Sequence, residues 1–545
     1  MQKLLTQAAA AALILSLLTG CAGTAAPAAD NAADSADPAP LAVDAADLFS
    51  SRDLAGTWDS SAAVEIQLLG DTAACDGQGV AIDGSRITIA AEGIYRLSGT
   101  LNNGQVVVDA GDASKVQLVL SGAQITSATS AALYALSADK VFLTLDAGTE
   151  NALSNGGVFT AVDENNIDSA IFAKTDLTCN GSGSLTVTSP GGHGVVSKDE
   201  LTITGGAYTI DAGGHGLEAK DSIAVADGSF TITAGKDGIH SENSEDGDLG
   251  LLYIAQGTFV IDAQGDGISA SGAMQVDGGS FTMTTGGGSE SVTMALSDTA
   301  GRQPGGSRPF PGGSLPSGRP EGQATPPSGA PDSQAHSQDA SANTTSSKGL
   351  KAGAALAVTG GSFTLDTADD SIHAAGDIRL SGAAFTIRTG DDGVHSDAGV
   401  AISGGKLTIP YCYEGVEGMT VAISAGVLDI TAHDDGINAA GGADGSGTAT
   451  GFGPQDPFAA DDSCAITISG GTITIVSNGD SIDSNGALTV TGGVLDLTCN
   501  GNGNTALDAN GQFTHSGGEI TTNDGSETGV GGFGGKGGGK NRSPR

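Results

Sequence analysis

Carboxylates recur in this chain directly before a small residue that is followed by a branched apolar one. Clear examples are Gly235-Lys-Asp-Gly-Ile-His, Gly390-Asp-Asp-Gly-Val-His and His433-Asp-Asp-Gly-Ile-Asn. Carboxylate oxygens beside the carbonyl groups of glycine turns suit Ca²⁺, which takes about six to eight hard oxygen ligands in irregular geometry, whereas Mg²⁺ demands a tight octahedron. The pattern therefore predicts calcium binding. The candidate metal ligands are Asp237, Asp266, Asp369, Asp370, Asp391, Asp392, Glu414, Asp434, Asp435 and Asp480.

The same carboxylates have a simpler explanation as turn residues. Asp hydrogen-bonds its own backbone in tight turns, and the Gly after it supplies positive φ. Turn chemistry is sufficient for any single Asp-Gly pair. The doubled acids at 369–370, 391–392 and 434–435 go beyond what a turn needs, and they favour at least one Ca²⁺ in that region.

A second set of polar side chains follows two positions after the small residue. In successive units this position is occupied by His373, His395 and Glu417. Tyr413 lies two residues before the anchor Gly415, and these four are the candidate ligand-binding residues. Histidines at one repeat position could bind a transition metal or titrate near neutral pH. The alternative is that they are solvated or stacked beside the acids.

The elements that must position these residues come from a repeat. The small residue serves as an anchor, at Gly194, Gly216, Gly238, Gly267, Gly349, Ser371, Gly393, Gly415, Gly436, Ser481 and Ala506. Five of the ten steps are 22 residues, and the steps of 82 and 45 contain insertions. Each unit contains alternating apolar and polar runs separated by glycine turns, which indicates short strands. An all-β, right-handed parallel β-helix with about 22 residues per coil fits this period, whereas a propeller needs about 40 or more per blade.

The predicted domain organisation follows from composition. Residues 1–20 are typical of a lipoprotein signal peptide, ending in Leu18-Thr-Gly-Cys, so Cys21 is the predicted lipidation site. Residues 21–57 read as an acidic Ala/Pro tether, 58–190 as irregular N-terminal coils, 191–524 as regular coils, and 525–545 as a Gly-rich basic tail. Two disordered insertions are predicted within the coils, at 286–347 and 441–463.

Charge and motifs restrict the function classes. The chain has 63 acidic and 22 basic residues, a net charge of −41, which argues against nucleic acid as a partner. It contains no Gly-x-Ser-x-Gly, P-loop or HExxH motif. A calcium-dependent polysaccharide lyase needs a base near the metal, for which Lys351 and Lys236 are candidates, although a Lys beside an Asp is more often an ion pair.

The stretch from about Gly93 to Asn510 resembles a family of bacterial surface carbohydrate-binding proteins. The resemblance is carried by Leu97-Ser-Gly-Thr-Leu, Asp168-Ser-Ala-Ile-Phe-Ala-Lys, Asp369-Asp-Ser-Ile-His, Tyr413-Glu-Gly-Val-Glu-Gly and Asp434-Asp-Gly-Ile-Asn-Ala-Ala-Gly-Gly. The resemblance implies a right-handed parallel β-helix similar to pectate lyases, calcium binding, and binding of cellulose or acidic sugars such as pectin. Ser371, Ser481 and Thr505-Ala506 depart from the family's Asp-Gly pattern.

These observations predict a monomeric, exported protein, anchored by lipid to the bacterial membrane and exposed at the cell surface. Its predicted partner is a polysaccharide, most consistent with an acidic one, and its predicted cofactor is Ca²⁺. We do not expect an enzyme. A polysaccharide lyase on the same scaffold and a purely structural adhesin remain alternatives.

Overall fold

The computed structural model describes residues 48–161, 163–243, 245–247, 249–294, 346–440 and 460–529. The predicted signal peptide, Cys21, most of the tether, the greater part of both insertions and most of the basic tail lie outside these residues. Among the residues described, no helix is long and apolar enough to cross a membrane.

The chain winds into a solenoid of short strands, each hydrogen-bonded in parallel to the equivalent strand of the coil before and after it. The register is one to one through the regular coils: Leu217 pairs with Ile239, and Ile239 with Ile268. Alternating side chains point into and out of the solenoid, as in Ala207–Ala212, where every second residue is buried. The predicted all-β parallel solenoid is confirmed.

Three stacks of strands form the three faces of the solenoid. Face 1 contains Glu150–Asn155, Ser184–Ser189, Ala207–Ala212, Ser229–Ala234, Thr258–Ala263, Ser280–Thr285, Ser362–Thr367, Ala384–Thr389, Thr472–Ser477, Val494–Cys499 and Glu519–Thr522. Face 2 contains Arg86–Ile89, Gln105–Asp109, Leu133–Ser137, Ser169–Ala173, His193–Ser197, Leu217–Ala219, Ile239–Ser241, Ile268–Ala270, Leu350–Ala352, Ile372–Ala374, Ile437–Ala439 and Ile482–Ser484. Face 3 contains Lys140–Leu145, Asp176–Gly181, Glu200–Ile203, Ser222–Val225, Leu251–Ile254, Met274–Val276, Leu356–Val358, Ile378–Leu380, Ala465–Ile468, Ala487–Val490 and Phe513–His515.

Longer strands turn the corners between faces. Ala63–Gly70, Gly93–Leu101 and Lys115–Ser127 run from face 3 to face 1, and Val394–Cys412 and Val416–Ala432 contribute to all three faces. Two antiparallel strand pairs lie at the N-terminal end of the solenoid. Ala73–Cys75 pairs with Ala63–Gly70, and Val80–Asp83 pairs with Arg86–Ile89. The irregular coils predicted for this region therefore include hairpins.

The core is a continuous column of apolar side chains along the solenoid axis. One column is aromatic: Tyr208, Phe230, Phe259, Phe281, Phe363 and Phe385 stack in order, with ring centroids 4.4–5.2 Å apart. This spacing follows from the strand separation of about 4.8 Å, because equivalent residues of successive coils lie directly above one another. Few aromatic residues therefore suffice for this core.

The last residues of the predicted tether, 48–57, are part of the fold. Ser51–Ala55 form a short helix that begins with a capping box between Ser50 and Asp53. Asp53 is 2% exposed and accepts a hydrogen bond from Thr178. The tether prediction was wrong here because it relied on composition, and a five-residue helix is too short to show periodicity.

The structure also shortens the predicted insertions and the tail. A 3₁₀ turn spans Ser289–Ser291, and Ser347 is buried, so both ends of the first insertion are ordered. Asp461 and Ser463 are hydrogen-bonded at the end of the second insertion. Ser526–Thr528 form a further 3₁₀ turn at the start of the predicted tail.

Candidate metal-binding site

The predicted site residues lie at the corner where each coil passes from face 1 to face 2. The residue directly before each anchor forms an inner column, which we define as His193, His215, Asp237, Asp266, Lys348, Asp370, Asp392, Glu414, Asp435, Asp480 and Thr505. The residue two after each anchor, from Gly216 onward, forms an outer column: Glu218, His240, Ser269, Lys351, His373, His395, Glu417, Asn438, Asp483 and Asp508. Strand pairing places the outer-column residues from Glu218 to Asp483 in consecutive register.

Most inner-column side chains accept a hydrogen bond from the backbone of the next coil. The Asp266 N–H donates to Asp237 Oδ1 at 2.8 Å, and the Glu414 N–H donates to Asp392 Oδ1 at 3.0 Å. The same bond joins further pairs of coils, with acceptors Asp266, Asp370, Asp435 and Asp480. These bonds satisfy backbone donors that the turn would otherwise leave without a partner.

Histidine replaces aspartate in the first two coils without breaking this pattern. His193 Nδ1 accepts the His215 N–H at 3.0 Å, and His215 Nδ1 accepts the Asp237 N–H at 3.2 Å. Their Nδ1 atoms are therefore unprotonated acceptors, and burial lowers the pKa of both rings, to about 3 for His215. The inner column thus requires an acceptor atom at each of these turns rather than a negative charge.

Protein cations neutralise the N-terminal half of the inner column. His240 Nδ1 lies 2.7 Å from Asp237 Oδ2, and Lys351 Nζ lies 3.2 Å from Asp266 Oδ2. Burial alone would lower the pKa of Lys348, but the carboxylates of Asp370 and Asp369, each 2.7 Å away, raise it, so this amine stays charged. Four of the predicted metal ligands, Asp237, Asp266, Asp369 and Asp370, therefore already have a cationic partner.

Among the described residues, four carboxylates in the C-terminal half of the two columns have no such partner. Within the described ranges, no Lys, Arg or His lies within ion-pair distance of Glu414, Asp435, Asp480 or Asp483. Burial, followed by repulsion between neighbouring carboxylates, raises the pKa of Glu414 and Asp435 well above the usual range, and the same causes raise that of Asp480 to about 7 and that of Asp483 to about 6. Mutual repulsion of this kind is relieved by a bound cation.

An amide oxygen lies among these carboxylates. Asn438 is 8% exposed, and its Nδ2 donates to Glu414 Oε2 at 3.0 Å. Its Oδ1 is buried without a hydrogen-bond partner. A buried acceptor without a partner costs about 1–3 kcal/mol, and an amide oxygen is a suitable Ca²⁺ ligand. The residues present at Glu414, Asn438, Asp435, Asp480 and Asp483 therefore fit calcium.

The sequence-predicted residues fall into distinct groups at this corner. Two groups share His395: Asp370, His373 and His395 form one, Asp392, His395 and Glu417 form the other, and in each group the ligand atoms lie within 4.8 Å of one another. Asp369, Asp370 and Asp391 form another such group. Tyr413 Oη donates to Asp434 Oδ2 at 2.8 Å, so this tyrosine belongs to the acidic corner as well.

Sequence reasoning selected neither Lys348 nor Asn438 and Asp483 as site residues. All three hold column positions that the 22-residue period identifies, so their place was visible in the sequence. Carboxylates before the anchor were the candidate metal ligands, so a lysine in the inner column was not among them. The oxygens of Asn438 and Asp483 in the outer column were not among them either.

Comparisons with known proteins give the family. A family model described as carbohydrate-binding domain-containing protein matches residues 83–393 and 391–531. A protein of that description from Acetivibrio thermocellus is 35% identical over 136 residues, which is 25% of this chain. The match spans about half of that relative, 48% of its length.

A solved structure described as the polysaccharide lyase-like protein from C. thermocellum, gadolinium derivative, is 33% identical to the chain. It matches with a TM-score of 0.39, over 41% of this chain and 92% of that one. The two segments matched by the family model together cover most of the residues from 83 onward. On that match, this chain belongs to the family of carbohydrate-binding domain-containing proteins.

Proposed function

We propose that this protein is a lipid-anchored surface module that binds acidic polysaccharide, such as pectin, through Ca²⁺. The carboxylates of Glu414, Asp435, Asp480 and Asp483, with Asn438 Oδ1, hold the ion on the protein side, and uronate carboxylates of the glycan complete its coordination. The observation that carries the proposal is the group of half-buried carboxylates without a cationic partner beside an unpartnered amide oxygen.

The aromatic residues support calcium bridging over ring stacking. Modules that grip neutral glycans by stacking need exposed aromatic faces. No Tyr or Trp in the described ranges is exposed: Trp58 is half-buried, and Tyr411 lies against Arg388 with the guanidinium carbon 5.1 Å from the ring centroid. A cation that links carboxylates of protein and glycan does not need such a platform.

The lyase alternative needs a free base beside the metal, and the structure offers little support for Lys351 in that role. Lys351 Nζ lies 3.2 Å from Asp266 Oδ2 and donates to Ser346 Oγ at 3.1 Å. An amine held in an ion pair is a weak proton acceptor. We therefore favour binding without cleavage, and the absorbance of unsaturated uronate product on polygalacturonate is the measurement that would reverse this preference.

Retention on immobilised polygalacturonate and on cellulose, with Ca²⁺ or with EDTA, tests the proposal. The key variant is Glu414→Gln with Asp435→Asn and Asp480→Asn, because amide oxygens keep the inner-column hydrogen bonds while removing the charge. The matched control is Glu519→Gln with Asp429→Asn and Asp496→Asn, which neutralises three exposed carboxylates on face 1 of neighbouring coils.

We expect the wild-type chain and the control to be retained on polygalacturonate with Ca²⁺ and released by EDTA. The key variant should lose both retention and calorimetric Ca²⁺ binding. Retention that ignores EDTA, or Ca²⁺ binding that is unchanged in the key variant, would contradict the calcium assignment. For the anchor, Cys21→Ala should move the chain out of the membrane fraction, and continued fractionation with membranes would contradict lipidation at that residue.

A further inference from the structure

Two histidines of the outer column are buried without hydrogen-bond partners. His373 is 8% exposed and His395 is 4% exposed, and neither ring nitrogen of either residue has a partner. A neutral imidazole has one N–H donor and one acceptor, and leaving either of them buried without a partner is unfavourable because neither protein nor water replaces the lost hydrogen bond. Two adjacent rings with four such nitrogens are a costly arrangement unless something else occupies the space between them and the acids.

Carboxylate oxygens surround His395 Nδ1, and none of them forms a hydrogen bond with it. Asp392 Oδ2 lies 3.4 Å away, and Glu417 Oε2 and Asp370 Oδ2 each lie 3.7 Å away. These separations are close to the edge of a tetrahedron of metal ligands, since bonds of about 2.1 Å give ligand atoms about 3.4 Å apart. The donor atoms are thus spaced as ligands of one small cation.

Two histidines of the earlier coils have partners that His373 and His395 lack. His193 and His215 accept backbone N–H groups through Nδ1, and their rings stack at 4.9 Å with an interplanar angle of 12°. His373 and His395 have no such bonds, and their rings lie at 73° to each other with centroids 5.2 Å apart. Their orientation is therefore not explained by stacking or by the backbone.

The chemistry of these donors differs from that of the proposed calcium ligands. Imidazole nitrogen suits zinc, copper, iron and nickel, whereas Ca²⁺ takes oxygen ligands. The residues of this group are not among the five ligands proposed for calcium, which are Glu414, Asp435, Asn438, Asp480 and Asp483.

We propose that His395, Asp392 and Glu417, with His373 from the preceding coil, bind one divalent transition-metal ion of the zinc class. The ion joins three successive coils, because His373, His395 and Glu417 are in register on adjacent strands. It supplies a partner for one nitrogen of each of the two buried rings. This proposal does not depend on calcium binding, and the two proposals can be tested separately.

Titration of the EDTA-dialysed full chain with Zn²⁺ by calorimetry, and with Co²⁺ by visible absorption, tests the site in the presence of a hundred-fold excess of Ca²⁺. We expect one equivalent to bind, with the absorption of a four-coordinate Co²⁺ ion. His395→Gln should weaken binding by about a hundred-fold or more, since even outer-shell changes cost up to about a hundred-fold. Glu417→Gln tests the carboxylate ligand separately, if His395→Gln does not fold.

The matched control is His240→Gln, which changes the same column position in an earlier coil. The control should bind Zn²⁺ like the wild type. Equal binding by the wild type and both the His395→Gln and Glu417→Gln variants would overturn the proposal. So would loss of binding in His240→Gln alone, or displacement of Co²⁺ by the excess Ca²⁺, because the ion would then lie in another group or in an oxygen site.

Discussion

At the scale of single residues, the inner column combines two roles in one side chain. One oxygen of Asp237, Asp266 or Asp392 accepts the backbone N–H of the next coil, and the other oxygen faces the outer column. The first role is structural and explains why His193 and His215 can stand in this column. The second role is available for ion pairs or metal ions, and it depends on the residue opposite.

The structural role predicts different effects for two substitutions of Asp237. Asp237→Leu leaves the Asp266 N–H without its acceptor, so we expect a loss of about 1–3 kcal/mol in stability and faster hydrogen exchange of the Asp266 amide. Asp237→Asn keeps an acceptor and should protect that amide nearly as well as the wild type. Hydrogen exchange checks both variants, with Asp262→Leu on exposed face 1 as control. Equal exchange in Asp237→Leu and wild type would show that the bond contributes little.

The sequence could identify the columns but could not assign each position its role. The 22-residue period placed Asp392, His395 and Glu417 on adjacent coils, and the structure brings them together. Which acids are neutralised depends on the side chain opposite each of them, and the period locates Lys348 in the inner column without showing that its amine contacts Asp369 and Asp370. The unpartnered oxygen of Asn438 depends on rotamer and burial, which periodicity does not encode.

At the scale of elements, the aromatic column holds face 1 strands in register. Phe281 lies between Phe259 and Phe363, with centroids 4.7 and 4.4 Å away, and is 1% exposed. A slip of one residue would turn all of these rings outward, so the column specifies the register as well as burying apolar surface. The alternation of apolar and polar residues in each unit predicted the strands, and the phenylalanine stack shows how equivalent apolar positions of successive coils pack together.

Phe281→Ala should therefore destabilise the coils on both sides of it. Truncation of a buried Phe costs about 3–5 kcal/mol, and in a solenoid this loss falls on the nearest-neighbour interfaces. Urea unfolding combined with hydrogen exchange of Thr258–Ala263 and Ser362–Thr367 would measure it. The control Thr282→Ala, on the exposed side of the same strand, should change stability by less than about 0.5 kcal/mol. Loss confined to one neighbouring strand would contradict a shared column.

The N-terminal helix is fixed to the solenoid by a buried ion pair. Lys140 Nζ lies 3.0 Å from Asp53 Oδ1, with side-chain exposures of 13% and 2%. Burial opposes ionisation of Asp53, but hydrogen bonds from Ser50, Thr178 and Lys140 outweigh it and lower its pKa. This carboxylate therefore stabilises the fold at neutral pH, and the contribution is lost only as the pH falls below about 4.

Asp53→Ala should cost about 3–5 kcal/mol, because it leaves Lys140 as an unpaired, largely buried charge. Asp53→Ala with Lys140→Met should recover part of this loss. The control is Glu65→Ala, which breaks a pair with Arg96 of the same 3.0 Å length at side-chain exposures of 32% and 59%, and which should cost about 1 kcal/mol or less. Thermal unfolding distinguishes them, and equal losses for the two single variants would remove burial as the deciding factor.

At the scale of the whole molecule, the negative charge is unevenly compensated along the solenoid. Lysines and histidines neutralise the inner column as far as Asp370, whereas no basic side chain of the described residues lies within ion-pair distance of Glu414, Asp435, Asp480 or Asp483. The net charge of −41 gives the excess of acids over the whole chain, but only the structure shows where their compensation fails. The acidic end of the corner is therefore where added cations should act most strongly on stability.

This arrangement predicts how stability depends on pH and on Ca²⁺. Glu414, Asp435 and Asp480 have pKa values raised above the value of about 4 that they have in the unfolded chain, so the folded state binds more protons than the unfolded state until the pH exceeds their folded pKa. Their ionisation must therefore lower the melting temperature as pH rises. The rings of His193, His215 and His373, whose pKa values are lowered, work in the opposite direction, but only below about pH 6.5.

Between pH 6.5 and 8.5 in EDTA, the melting temperature of the wild-type chain should consequently fall. Saturating Ca²⁺ should flatten the dependence, because a bound cation stabilises the ionised carboxylates. Glu414→Gln with Asp435→Asn and Asp480→Asn should flatten it without Ca²⁺, while the face 1 control with Asp429, Asp496 and Glu519 neutralised should keep the wild-type slope. Differential scanning fluorimetry at four pH values measures all three chains. A slope that persists in the triple variant would mean that the acidic end of the corner does not control stability in this range.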